Sequence, residues 1–279
     1  MKPLSKWRSF SQLIVVLLVG AAIKIYYSTA SVNDLLWILA PTRLLVELLT
    51  GVGFTFESYS GYMSRDHSFL IAASCSGVNF MIAAFLMLAL GKLWRCRPRR
   101  IGFIFIPFSL VFAYLTTIVA NTVRISTALY IRRQDPELIW LNPEQLHRFE
   151  GIVIYFGFLL LLFIVSENVS SDAHTRTIGR WTWLLRYLLP LVVYYATTIG
   201  VPLANGAFRR EPGAAEFWHH SLFVFLTPLI LVLSIVIIGF LKDQRIRSLI
   251  WPQNPLRNIQ SDTAISLDHP HSKTSVIKL

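Results

Sequence analysis

Three residues in this chain have the types and settings needed for acyl transfer. Cys75 lies in AASCSGVNFM (72–81), Arg124 in ANTVRISTALY (120–130) and His147 in WLNPEQLHRFEGIVIYFG (140–157). A thiol becomes a nucleophile when a nearby base takes its proton, and imidazole is the usual base near neutral pH. The tetrahedral intermediate that follows needs a cation or hydrogen-bond donors at its oxyanion. A guanidinium supplies both. Each residue alone also has a plainer explanation. Cys75, flanked by Ser74, Ser76 and Gly77, suits a close contact between helices. Arg124 suits an arginine snorkelling toward headgroups. His147 suits a histidine at the membrane interface.

The elements that must position these residues are apolar helices. The chain has 279 residues, of which 54% are hydrophobic and 15% charged, well below the roughly 25% charged residues of a soluble domain. Six apolar segments approach or exceed the ~20 residues that cross a bilayer core of ~30 Å. They are 9–27, 68–91, 101–129, 149–166, 184–203 and 221–241. The segment 33–52 carries Asp34, Arg43 and Glu47 as well as Pro41. Three charges make a full span costly, so an interfacial or re-entrant helix is expected there. The fold class is therefore all-α, a polytopic transmembrane helical bundle of about six spans. The membrane-embedded domain covers 1–241, and 242–279 is a polar cytoplasmic tail expected to be disordered. Lys24, Tyr26 and Tyr27 interrupt the approach to the small-x-small sequence before Ser31, so the first segment is expected to be retained as a span.

Positive charge sets the orientation. With six spans and a cytoplasmic N-terminus, the inside regions and Arg186 hold 17 of the 26 Lys and Arg residues, against seven outside. KLWRCRPRR (92–100) contributes five of them. Counting 33–52 as a span would send that cluster outward, against the positive-inside rule. The net charge of +11 thus reads as topology, and no nucleic-acid partner is expected. Two cysteines do not make a disulfide framework, and neither a metal nor a cofactor is called for.

This topology, drawn without reference to the three residues, puts all of them in one outer layer of the membrane. Cys75 is expected about 10 Å inside its segment and Arg124 about 7–8 Å inside its own. Asn121 shares a helix face with Arg124. Asn142 followed by Pro143 reads as a helix start, which places His147 on the second turn. Glu144 and Glu150, three residues to either side, could orient the imidazole. Cys96 falls in the basic loop, away from this layer.

Cys75-Ser76-Gly77, Asn121-x-x-Arg124, and His147 with Gly151 four residues later resemble, in order and spacing, the motifs of the exosortase/archaeosortase family of membrane cysteine transpeptidases. The resemblance covers roughly residues 10–165; the last two segments and the tail show no assignable motif. It implies a Cys75 nucleophile, an Arg124 transition-state stabiliser and a His147 acid/base. Gly77, Asn121 and Gly151 would be supporting positions, with Glu144 and Glu150 beside them. It further implies a protease-like reaction on exported proteins that carry a C-terminal motif, a transmembrane helix and a basic tail. The acyl group would pass to a cell-surface acceptor at the outer face of a bacterial or archaeal plasma membrane. Membrane lipids and those exported proteins would be the partners. A non-enzymatic polytopic protein, such as a transporter or surface-polymer assembly scaffold, is the alternative. A zinc protease would need His-Glu-x-x-His, which is absent.

Overall fold

A computed structural model describes residues 3–95, 102–133, 143–169, 180–206 and 214–250. The chain is an all-α helical bundle with one small sheet. Helix α1 spans Pro3–Thr29, α2 Leu36–Thr50, α3 Val78–Arg95, α4 Phe105–Arg133 and α5 Pro143–Val169. Then follow α6 (Arg180–Tyr195), the four-residue α7 (Val201–Ala204) and α8 (Ala214–Ile250). Strands β1 (Phe54–Glu57), β2 (Gly61–Ser64) and β3 (Leu70–Ile71) form an antiparallel sheet in the order β1-β2-β3. Met1–Val232 is one compact unit; in the second, Leu233–Leu279, the described residues continue helix α8.

Five helical stretches are long and apolar enough to cross a membrane: Ser9–Thr29, Ala73–Trp94, Phe105–Arg132, Arg148–Asn168 and Ser221–Gly239. The sixth expected span is the shorter apolar run Leu188–Ala204. At 1.5 Å per residue it reaches only about 25 Å. It is also irregular, because a π-helical turn at Ala196–Gly200 joins α6 to α7. Thr197 Oγ1 donates to the carbonyls of Val193 and Tyr194 (2.9 and 3.0 Å), and Thr198 Oγ1 donates to that of Tyr194 (2.6 Å). These hydroxyls compete with backbone N–H groups for the same acceptors, and Pro202 removes one N–H donor from the next turn.

Helix α3 is the centre of the bundle. It contacts α1, α4, α5 and α6, and 61% of its apolar span is buried, against 17% for α1. Phe85, Met87 and Ala84 on α3 are fully buried, as are Leu159 and Phe156 on α5. The outer helices instead expose apolar side chains, among them Leu18 and Ile25 on α1 and Phe108, Phe112 and Leu115 on α4. Large apolar groups left on the surface of such helices belong against lipid tails.

The 33–52 segment forms α2, whose 15 residues are too few to span. Its charges are spent locally. Asp34 accepts from the Ser31 N–H and hydroxyl (2.9 and 2.7 Å), which holds its carboxyl below the usual carboxylate range. Arg43 pairs with Glu47 at 3.1 Å and lies over the Tyr62 ring. Glu47 in turn accepts the Phe54 N–H at 2.7 Å, tying α2 to β1. The helix itself packs on α4.

Two boundaries differ from the sequence expectation. The 68–91 segment is not one helix: β3 and a 3-10 turn (Ala73–Ser76) precede α3. At the other end, α8 runs to Ile250, nine residues into the expected tail. Residues 251–279 of that tail lie outside the described residues, as do Cys96 and Asn142.

Candidate active site

The Cys75 turn exists because Gly77 breaks the helix. Gly77 adopts φ +74°, a left-handed conformation that side-chain-bearing residues rarely hold, and it closes the 3-10 turn before α3 starts at Val78. Close approach reinforces the requirement. A Cβ on Gly77 would lie 3.0 Å from Thr117 Cγ2, 3.4 Å from Tyr155 Oη and 3.5 Å from Asn121 Cγ. Cys75 therefore sits on a half-buried turn at the mouth of α3, not within a regular helix as its hydropathy suggested. It is a free cysteine. Its neighbour Ser76 is fully buried, in keeping with the tight contact expected of the small residues here.

Asn121 and Arg124 come to this turn from α4, and Tyr155 comes from α5. The Asn121 side-chain amide is fully buried and donates to the Cys75 carbonyl oxygen at 2.5 Å. The Tyr155 hydroxyl donates to Asn121 Oδ1 at 2.9 Å. Arg124 donates from one terminal nitrogen to the Tyr155 hydroxyl at 3.3 Å, and its guanidinium carbon lies 5.4 Å from the Tyr155 ring centroid. Phe80 on α3 stacks on the Tyr155 ring, with centroids 4.9 Å apart and planes 13° apart. A continuous polar chain thus runs from the Cys75 backbone through Asn121 and Tyr155 to Arg124. The same arginine lies within electrostatic reach of the Cys75 sulfur and of Glu150.

Gly151 explains how α5 approaches so closely, since a Cβ there would lie 3.0 Å from Arg124 Nε. Glu150, expected beside the imidazole, is buried (7% exposed) and faces the arginine electrostatically. A buried carboxylate near a buried guanidinium offsets part of the cost of placing either charge there. The α5 helix begins at Pro143, as its sequence predicts. His147 falls on this helix one turn before Gly151, while the side chains of His147 and Glu144 lie outside the described residues.

Beside the turn opens a cleft of about 400 Å³. Ser74, Gly77, Arg124, Gly151 and Tyr155 line it, and Lys24 of α1 and Arg148 of α5 add two further cations. Tyr155 was not singled out by the sequence reading, and Lys24 was read only as an interruption near the end of the first span. Tyr155 stands four residues after Gly151, on the same helical face, and that spacing was the available signal. Among the described residues, no three His, Cys, Asp or Glu side chains form a metal-binding group.

Comparison with protein families, with curated proteins and with solved structures found no match to this chain.

Proposed function

We propose that this chain is an exosortase-like membrane cysteine transpeptidase. The observation that carries the reading is the convergence at the Cys75 turn. Asn121, Arg124 and Gly151, which the motif resemblance names as one set, meet within one hydrogen-bonded cluster around Cys75. A packing cysteine needs no buried arginine beside it, and an arginine held inside a membrane bundle calls for a partner or a substrate.

In this reading His147 takes the Cys75 proton. The thiolate attacks a peptide carbonyl of the substrate, and Arg124 stabilises the oxyanion with its fork of donors. The C–N bond then breaks, His147 returns the proton to the leaving amine, and the acyl group stays on Cys75 as a thioester. A surface acceptor displaces it and regenerates the thiol. Tyr155 and Asn121 position the arginine and the Cys75 turn. The substrate is an exported protein held by its own C-terminal transmembrane helix. Tethering of this kind makes the encounter effectively intramolecular. In this reading the site lies at the outer face of a bacterial or archaeal plasma membrane, and the charge asymmetry of the loops supports that orientation.

The test is substrate size on a blot of cells expressing a protein with a C-terminal motif, span and basic tail. Cys75→Ala and Cys75→Ser should leave it full-length at unchanged enzyme abundance. Processing that persists in Cys75→Ala removes the enzyme reading and leaves the alternative, a polytopic scaffold or transporter in which Cys75 only packs.

A further inference from the structure

Lys24 stands in the span Ser9–Thr29, five residues from its end. An ammonium at that depth usually snorkels outward to water. This one turns inward. Its Nζ donates to Asn79 Oδ1 on α3 at 2.7 Å and lies 5.5 Å from the Tyr27 ring centroid. A neutral amide and a ring face leave the charge without a carboxylate, and among the described residues no acid lines either cavity that Lys24 borders.

Those two cavities differ in kind. The first is the active-site cleft, where Lys24, Arg124 and Arg148 put three cations beside tyrosine and threonine hydroxyls. The second, about 420 Å³, runs along α1 from Ser28 past Lys24 to Leu17; Leu17, Gly20, Ala21, Ile82 and Leu86 wall its apolar stretch, and Ser28 and Asn205 add polar groups to its lining. From Lys24 to Leu17 the apolar stretch covers seven helical residues, a length of about 10 Å. Lys24, Asn79 and Thr197 border both cavities. A cationic chamber thus joins a mainly apolar groove where Lys24, Asn79 and Thr197 meet, inside helices that the bilayer surrounds.

We propose that this pair of cavities binds an anionic phospholipid, with its phosphate at Lys24 and an acyl chain in the groove along α1. The shape asks for a ligand that is anionic at one end and apolar at the other. In a bilayer the abundant molecule of that description is a phospholipid. The cationic lining supplies charge complementarity, and the groove explains why α1 carries Gly20 and Ala21 on the side facing α3. The Lys24–Asn79 bond holds the amine at the junction, where a phosphate can take the two remaining N–H donors.

This site rests on the fold and does not require the acyl-transfer reading, so it is tested in the Cys75→Ala protein. Purified, delipidated protein in detergent is titrated with dioleoylphosphatidylglycerol, and binding is followed by native mass spectrometry. Dioleoylphosphatidylcholine and inorganic phosphate provide the comparison arms. The phosphatidylglycerol should bind tightly enough to survive transfer to vacuum, phosphatidylcholine more weakly, and millimolar phosphate should not displace the lipid. Lys24→Gln should weaken phosphatidylglycerol roughly fivefold, the factor one basic group contributes near an anionic surface. Lys24→Arg should retain it. Ala21→Phe, at an exposed position in the groove wall, should weaken both lipids alike by filling the chain's path. Equal binding by the wild type, Lys24→Gln and Ala21→Phe overturns the proposal. So does displacement of the lipid by phosphate alone, which would mark a plain anion site. Because lipid binding is measured in Cys75→Ala, it stands or falls apart from the catalytic reading, which fails on its own if Cys75→Ala still processes substrate.

Discussion

Replacing Gly77 by alanine tests the geometry on which the site depends. Two costs are readable at this position. The first is conformational: φ +74° lies in the left-handed region, which costs a side-chain-bearing residue roughly 1–2 kcal/mol. The second is steric. The new methyl would stand 3.0 Å from Thr117 Cγ2, closer than ordinary van der Waals contact, and 3.4 Å from Tyr155 Oη, at the near edge of it. Overpacking of this kind costs roughly 1–3 kcal/mol, so Gly77→Ala should destabilise by about 2–5 kcal/mol. Gly51 provides the control, because it has nearly the same dihedral, φ +69°, with nothing within 4 Å of a built Cβ. Gly51→Ala should therefore lose only the conformational part, about 1–2 kcal/mol. Thr117→Ser removes the offending methyl and keeps the hydroxyl that donates to the Ala113 carbonyl at 2.6 Å. The double variant Gly77→Ala/Thr117→Ser should recover part of the steric cost. Reversible unfolding in mixed micelles, followed by far-UV circular dichroism, measures all four proteins. Equal losses for Gly77→Ala and Gly51→Ala would refute the close approach of α3, α4 and α5 at the Cys75 turn.

Other perturbations separate charge, hydrogen bonding and pH. Arg124→Lys keeps a cation but loses the planar fork, so processing should fall about 100-fold, in line with the loss of an oxyanion donor; the readout is substrate conversion at matched membrane abundance. Tyr155→Phe removes the hydroxyl shared by Asn121 and Arg124 and should destabilise by about 1–2 kcal/mol in the same unfolding assay. Asp66, in the β2–β3 turn, accepts from the Ser68 N–H and hydroxyl (3.2 and 2.9 Å), and hydrogen bonds from Ser64 and Ser68 hold its carboxyl down at about 2. Because that value is below the ordinary 3.8, the turn gains stability above pH 3.8 and loses it as pH falls through about 2. Hydrogen exchange of the Ser68 and Phe69 amides should report that loss, and Asp66→Asn should abolish its pH dependence.

Length and hydropathy made the spans legible, because a bilayer sets a minimum run of apolar residues and little else competes with it. Pro143 marked the start of α5 for an equally local reason. The charges of 33–52 argued against a span there, and the helix that forms has only 15 residues. They did not reveal that Arg43 and Glu47 brace a small sheet, since that pairing depends on the fold of residues 54–71. Hydropathy also ran through the start of α3, because an average over apolar side chains does not register the backbone conformation of one glycine. In the site, Asn121 and Arg124 were legible as an i, i+3 pair. Tyr155 was not, because a tyrosine in an apolar helix reads as packing until its hydroxyl is seen between two polar partners from another helix. Lys24 was visible as a charge inside a span, but its inward direction depends on where α3 places Asn79.

If Cys75 carries the acyl group as a thioester, mass spectrometry of the purified protein, caught during turnover, reads it most directly. The enzyme is mixed with a peptide substrate bearing its transmembrane helix, quenched in acid within the first turnover and digested for peptide mapping. A substrate-derived adduct is expected on the Cys75 peptide of the wild type. Neutral hydroxylamine should release it as a hydroxamate and restore the free thiol, and Cys75→Ala should show none. An adduct that resists hydroxylamine, one that maps to another residue, or processing by wild type and Cys75→Ala alike would contradict a thioester at Cys75.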